Sequence, residues 1–237
     1  LPLDGVVIAG FMTRHFTKSM LEIAAEYFDL VEQSKAWKKS RLLTLSHPKK
    51  SNNSLSQILN STLFNKFHYQ QYLGVFSANH IDYATQYLLE NLELRDSEKN
   101  FLDIGCGNGI IGKHLLDQRP WNEPVMMDDS YLAIASTEMN LTESEGIKVI
   151  AQYNLDSFEE EKFDLVITNP PFHFEYEVDP SIAIQLMSDT YRILSNRGRL
   201  IIVANRHLNY KSQLSKYYSE VNIIKENNKF VILEAMK

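Results

Sequence analysis

The stretch Thr168-Asn169-Pro170-Pro171-Phe172-His173 follows an apolar run, Leu165-Val166-Ile167, of the kind that forms a buried strand. Its residue types suit one particular chemistry. Two consecutive prolines fix the backbone and remove N–H donors. The Asn169 side-chain oxygen and the Pro170 carbonyl can then face one point as two acceptors. A planar exocyclic amine with two N–H bonds is their natural partner, and accepting both hydrogens turns its lone pair toward an electrophile. Phe172 offers a face for the flat ring that carries the amine, and such stacking is worth about 1–3 kcal/mol per base. As a methyl group arrives, positive charge grows on the nitrogen, where two carbonyl dipoles and the Phe172 face stabilise it. No strong base is required, because the nitrogen becomes acidic only after alkylation; positioning supplies much of the acceleration. His173 either touches substrate or makes a structural hydrogen bond. The plain alternative for Asn-Pro-Pro is a strand-stopping turn.

A second constellation lies at 101–112, FLDIGCGNGIIG, an apolar strand running into glycines and then a helix. Gly105, Gly107 and Gly109 form G-x-G-x-G, which permits positive φ and close approach of a ligand to the backbone. The next apolar run ends in Asp128-Asp129, about 20 residues on, where a carboxylate can accept both hydroxyls of a ribose. Asp128 directly follows the strand; Asp129 and Ser130 suit a helix cap, and capping is the alternative for Asp128 too. The position after Gly109 is Ile110, so the nicotinamide fingerprint G-x-G-x-x-G fails at its last glycine. Asp103 would repel a pyrophosphate but can organise the loop near an ammonium, or simply bond backbone N–H groups at a strand end. Both features favour S-adenosylmethionine (SAM). Asn154 closes the third strand as an adenine-edge partner or a turn residue. Cys106 is a packing residue rather than a nucleophile. The His and Cys residues make no metal-ligand cluster, and the proposed chemistry needs no metal.

The elements that must position these groups alternate from about residue 78 onward. Helical faces (Ile81 to Leu92, 109–117, 130–141, 180–194) separate apolar strands at 101–104, 124–127, 148–153, 163–168 and 199–204. That is an α/β pattern with a mostly parallel sheet covered on both faces. At the end, 221–226 and 229–235 flank Asn227-Asn228 and predict an antiparallel hairpin at the sheet edge. Earlier, 5–11 reads as a strand, and Ser19 with Glu22 has capping-box spacing before a helix. The chain does not begin with methionine. Residues 1–45 are therefore expected to be the last βα piece of a preceding domain, 46–73 a polar linker or loop, and 74–237 the catalytic domain.

Composition sets outer limits. The 237 residues are 44% hydrophobic and 23% charged, as in globular proteins. There is no apolar run of about 18 or more residues, so no membrane span is expected. One cysteine cannot form an internal disulfide, which fits a reducing cytoplasm. Net charge is −6, but residues 1–75 carry nine Lys and Arg against five Asp and Glu. The basic part includes Ala36-Trp37-Lys38-Lys39-Ser40-Arg41, cations with an aromatic among them. That fits a phosphate-binding surface or an ordinary solvated face. Nothing demands more than a monomer.

At these residues the chain resembles the class I SAM-dependent methyltransferases, whose sheet is Rossmann-like. More narrowly it resembles bacterial ribosomal RNA guanine-N2 methyltransferases, most closely those acting on 23S rRNA and next those acting on 16S rRNA. The stretches that carry the resemblance are 74–77, 103–112, 127–130, 169–173, 203–210 and 227–235, with 10–15 and 36–41 near the start. It implies that Gly105 to Gly109 and Asp128 bind SAM, that Asn154 lies near adenine, and that Asn169, Pro170, Pro171 and Phe172 hold the guanine amine. It implies that Phe76 walls the cofactor pocket, a core aromatic being the alternative. Asn205 and Arg206 would face substrate, with a surface ion pair as the alternative for Arg206. It also implies that residues 1–45 belong to a degenerate methyltransferase-like domain that helps to hold RNA. Phe174 departs from the pattern, which leads one to expect a polar residue. Other readings are a protein glutamine methyltransferase, an adenine-N6 methyltransferase and a non-catalytic RNA-binding module. A NAD-dependent oxidoreductase is disfavoured by Ile110.

Overall fold

The computed structural model describes residues 2–50, 59–77, 80–142, 146–170 and 180–237, without the side chains of 180–184. Two compact units divide between Gln57 and Ile58.

In the first unit, strands β1 (Val7–Met12), β2 (Phe28–Gln33) and β3 (Ser40–Pro48) form an antiparallel sheet in the order β1-β3-β2. Helix α1 (Lys18–Tyr27) adds Leu21 and Ala24 to a small core with Leu43, Leu45, Val7, Phe11, Phe28 and Val31. The βα reading of 1–45 thus misses two strands. The capping box also fails, because α1 begins one residue before Ser19. Ser19 instead bonds the Thr17 hydroxyl at 2.8 Å, and Glu22 pairs with Lys18 at 3.7 Å.

The second unit starts with a hairpin, β4 (Leu59–Phe64) and β5 (Phe67–Tyr72), turned by Asn65 and Lys66 at φ 47° and 68°. Two adjacent positive-φ residues suit the right-handed twist of a hairpin. Residues 46–73 are therefore not a loop throughout: 46–48 complete β3 and 59–72 form this hairpin. Residues 51–58 lie outside the described residues.

A seven-stranded sheet follows, ordered β11-β12-β10-β9-β6-β7-β8. Strands β6 (Asn100–Ile104), β7 (Glu123–Asp128), β8 (Lys148–Ala151), β9 (Phe163–Thr168) and β10 (Leu194–Asn205) are parallel. Strand β12 (Phe230–Met236) runs antiparallel to β10, and β11 (Glu220–Glu226) forms the edge. Helices α2 (Tyr83–Asn91), α3 (Ile110–Gln118), α4 (Tyr131–Asn140), α5 (Pro180–Ile193) and α6 (Tyr210–Leu214) complete the unit. Alternate strand residues serve opposite faces. Phe101, Leu165, Ile167, Ile201 and Val203 pack with Leu88, Ile111, Leu115 and Ile134, while Leu102, Val166, Leu200 and Ile202 pack with Leu155, Met187, Ile193 and Leu214. The chain lays β6, β7 and β8 outward in one direction, then returns to place β9 on the other side of β6. Ligands in open α/β sheets bind at such a reversal, beyond the strands' carboxyl ends.

Toward the sheet's opposite end, Arg199 is only 4% exposed. Its guanidinium pairs with Glu98 and with Glu234 (2.9 Å) and donates to Glu93 O (2.7 Å); Arg95 and Arg119 give Glu234 and Glu98 second partners. Losing Arg199 leaves two buried carboxylates under-compensated. Arg199→Leu should lower the unfolding free energy by about 3 kcal/mol in urea titrations, the low end for a broken buried pair because two arginines remain.

Candidate active site

The glycine loop leaves β6 and folds back on the end of β7. Gly105 N and Cys106 N both donate to Met127 O, at 2.8 and 3.0 Å. Gly105 and Gly107 have φ of 72° and 59°, and a Cβ on either would meet none of the described residues within 4 Å. The loop therefore presents bare backbone to open space. Gly109 is constrained differently: a Cβ there would come within 3.0 Å of Thr137, and its N–H is spent on Cys106 O.

Two carboxylates hold this loop. Asp128 Oδ2 accepts from Gly107 N (3.0 Å) and Oδ1 from Ser130 N (2.9 Å), while Ser130 caps α4. Each Asp128 oxygen keeps a spare lone pair, so the residue can tie the loop and still accept hydroxyls. Burial raises its pKa, opposed by those two N–H bonds. Asp103 is fully buried; Oδ2 accepts from Gly112 N (3.1 Å) in the first turn of α3, and Oδ1 has no partner among the described residues. Burial pushes its carboxyl from 3.8 up to about 7, the Gly112 N–H pulling down and Asp128 pushing further up. Burial, with Asp103 adding, likewise raises the Cys106 thiol, whose Sγ lies 3.4 Å from Thr137 Oγ1. That thiol is a packing group.

Asn169 and Pro170 leave β9 beside this loop, since Ile104 and Thr168 are partners in the β6–β9 ladder and Thr168 Oγ1 donates to Ile104 O at 2.8 Å. The Asn169 amide nitrogen donates to Asp82 Oδ2 (3.0 Å) and to Thr85 Oγ1 (2.8 Å). Its Oδ1 is shielded from water and has no partner among the described residues. A buried acceptor left empty costs about 1–3 kcal/mol, so such an atom calls for a ligand. Pro171, Phe172 and His173, and Phe174 after them, lie outside the described residues.

Residues 66–234 match the family described as the methyltransferase small domain, and residues 1–50 match the RLMG N-terminal domain. The chain belongs to the methyltransferase small domain family. Two curated relatives, each named ribosomal RNA large subunit methyltransferase G, come from Yersinia enterocolitica and Vibrio vulnificus. Each is 32% identical over 99% of this chain, which spans 61% and 64% of their respective lengths. A solved structure of a T. thermophilus 16S rRNA N2 methyltransferase, in complex with AdoMet and guanosine, matches the whole chain and 66% of its own, with a TM-score of 0.81 and 22% identity. That likeness is one of fold alone.

The remaining residues singled out in the sequence divide. Phe76 is half exposed (51%), and its carbonyl accepts from Gln71 Nε2 at 3.2 Å. Gln71 Nε2 also reaches Val75 O, and Gln71 Oε1 accepts from Asn108 of the glycine loop at 2.8 Å. One buried glutamine thus ties the Phe76 segment to the loop. Asn154 donates to Asp156 Oδ2 at 2.7 Å, so its amide donor is engaged in the turn alternative. Asn205 ends β10 on the same edge of the sheet as Asn169. Arg206 takes the ion-pair alternative, with Nε 3.3 Å from Glu226 on the surface. The sequence reading passed over Asp82, Thr85 and Gln71. Asp82 had a signal, an N-cap type three residues before Thr85; Gln71 had none.

Unfolded, Asp103 titrates near 3.8, and folded near 7. Its contribution to stability is present at low pH and is lost as pH rises between those values, because the unfolded chain releases the proton first. Asp103→Asn removes that titration. Its stability relative to the parent should climb from about pH 4 to about pH 7 and stay level above. Urea unfolding of both proteins across this range measures it, and a pH-independent difference contradicts it.

Proposed function

We propose that this chain is the catalytic part of a SAM-dependent methyltransferase that acts on the exocyclic N2 amine of a guanine in 23S rRNA. The observation that carries the reading is the shielded Asn169 Oδ1, without a partner among the described residues, at the edge where the glycine loop begins. The residues fit the cofactor: open backbone at Gly105 and Gly107, an Asp128 carboxylate with spare lone pairs, and a half-exposed Phe76 tied to the loop. Bound there, SAM supplies an electrophilic methyl group on a sulfonium. Asn169 Oδ1 and the Pro170 carbonyl accept the two hydrogens of the amine and hold its plane. Their dipoles stabilise the charge that develops on nitrogen. The proton leaves after transfer, so no side chain need act as a strong base. Phe172 supplies the stacking face.

The names of the curated relatives support ribosomal RNA as the acceptor. The first unit adds a physical reason. Between β2 and β3, Trp37 N and O bond Ser40 O and N, and Lys38 and Lys39 stand at φ 46° and 65°. Positive φ is costly for residues other than glycine, of order 1 kcal/mol or more each. That turn sets two lysines beside a Trp37 that is 72% exposed, with Lys38 Nζ 4.9 Å from its ring centre. An exposed indole among cations suits a nucleotide strand. Residues 1–45 are, in this reading, the remnant of a degenerate domain that helps to hold RNA, and 74–237 the catalytic domain. The protein would be cytoplasmic and work as a monomer.

Tritiated SAM, with unmodified 23S rRNA, 16S rRNA and bulk protein as separate acceptors, tests the assignment. Label should enter 23S rRNA and fall about 100-fold or more in Asn169→Ala, the usual scale for losing one oriented polar group at the reacting atoms. Label in 16S rRNA or protein instead would overturn the substrate. Trp37→Ala should weaken 23S rRNA binding about tenfold in filter assays at fixed salt, within the range for one stacked base, and leave SAM affinity unchanged.

A further inference from the structure

Asp82 and Thr85 have no part in the chemistry above, yet they form a polar cluster with Asn169 that joins the start of α2 to the end of β9. Asp82 is the N-cap of α2, and its Oδ2 accepts from Thr85 N at 3.0 Å. The same Oδ2 accepts from Asn169 Nδ2 at 3.0 Å, and Thr85 Oγ1 accepts from it at 2.8 Å. Three residues thus close a ring of hydrogen bonds, in which Thr85 is buried.

We infer that Asp82 and Thr85 are positioning residues for methyl transfer, which fix the Asn169 amide so that its oxygen is always the atom offered to the acceptor amine. The geometry permits one orientation of the amide. A carboxylate only accepts, so the face of Asn169 toward Asp82 must be its NH2. Both amide hydrogens are then engaged, and Oδ1 is left over. Were the amide turned over, the carboxylate would face an oxygen, and the reacting nitrogen would meet an NH2 that cannot accept. The negative charge on Asp82 acts in the same direction. An amide that donates to a carboxylate carries more electron density on its oxygen, because linked hydrogen bonds polarise one another. That density is needed when positive charge develops on the nitrogen. A cap residue of another kind would serve α2 equally well: Asn and Ser cap as well as Asp does. Capping alone therefore does not account for a charged residue here.

The inference rests on the methyl-transfer reading but not on the identity of the acceptor. The test uses the full-length protein, saturating SAM and the three acceptors already named, with single-turnover rates, SAM affinity and thermal midpoints for each variant. Asp82→Asn keeps the cap and the shape, removes the charge, and frees Asn169 to turn over. On whichever acceptor the parent labels, its rate should fall roughly 10- to 100-fold, as when a supporting partner of a reactive group is lost. SAM affinity should stay within about twofold, and the thermal midpoint should hardly move. The exchanged pair Asp82→Asn with Asn169→Asp restores a donor-to-carboxylate contact and leaves one carboxylate oxygen toward the amine. It should be faster than Asn169→Asp alone. Asp82→Asn at the parent's rate overturns the inference. So does a loss that appears only in the thermal midpoint or in SAM affinity, which would mark a structural staple. A parent that labels 16S rRNA or protein overturns the 23S assignment while the rate comparison still decides the role of Asp82. A parent silent on every acceptor overturns both.

Discussion

The site depends on β6 and β9 lying side by side. Their ladder ends at Ile104 and Thr168, and the Thr168 hydroxyl closes the last gap by donating to Ile104 O. One residue further on, β6 becomes the glycine loop and β9 becomes Asn169. The adjacent end of β7 receives the loop at Met127 O and returns Asp128 to Gly107. Three strands that are distant in the sequence therefore deliver their terminal residues to one edge. The parallel sheet makes this possible, because all five parallel strands point the same way and the order reverses at β6 and β9. In the proposed reading, neither the glycine loop as cofactor site nor Asn169 and Pro170 as amine acceptors would work if β9 lay elsewhere in the sheet.

The two ends of that sheet treat buried polar atoms differently. Near the end opposite the glycine loop, Arg199, Glu98 and Glu234 satisfy one another, with Arg95 and Arg119 outside them. At the carboxyl end, Asp103 Oδ1 and Asn169 Oδ1 are shielded yet unpartnered; the third such side-chain atom among the described residues, Arg119 Nε, lies at the margin of the ion-pair cluster. Stability favours the first arrangement, and function tolerates the second, because an acceptor that is already bonded internally is unavailable to a ligand. Around those two oxygens the support is dense. Gln71 links the glycine loop to the Phe76 segment, Asn140 holds both Gln70 and Asn108, and Asp82 with Thr85 holds Asn169. The unpartnered oxygens are few, and the hydrogen bonds around them are many.

Much of this was legible before any coordinates. The parallel strands are short, apolar and bounded by glycine, asparagine or aspartate, so the alternation with helices could be read directly, as could G-x-G-x-G and Asn-Pro-Pro. The hairpin at 59–72 was not legible. Its buried positions include Gln71 beside Tyr69, and the Asn140 and Ser136 side chains of α4 bond its backbone in addition to the packing of Phe64, Phe67 and Tyr69 on the core. A hydropathy pattern does not record hydrogen-bonded burial. The first unit misled for a different reason. Phe28 to Gln33 continues straight from α1, and no glycine or proline marks where helix becomes strand. Asp82 and Thr85 carried a local capping signal, but nothing local shows that their free valences meet Asn169, 87 and 84 residues away.

The central claim is that two fixed oxygens at the end of β9 select an exocyclic NH2. The most direct test is to digest methylated RNA to nucleosides and locate the new methyl group by mass spectrometry against synthetic standards. Two acceptors at one point bind an amine bearing two hydrogens, so the account predicts methyl on an exocyclic nitrogen, which is N2-methylguanosine for the guanine acceptor proposed above. Methyl on a ring nitrogen such as N1 or N7, or on the ribose 2′-oxygen, would contradict it, because none of those atoms presents two N–H bonds to the Asn169 and Pro170 oxygens.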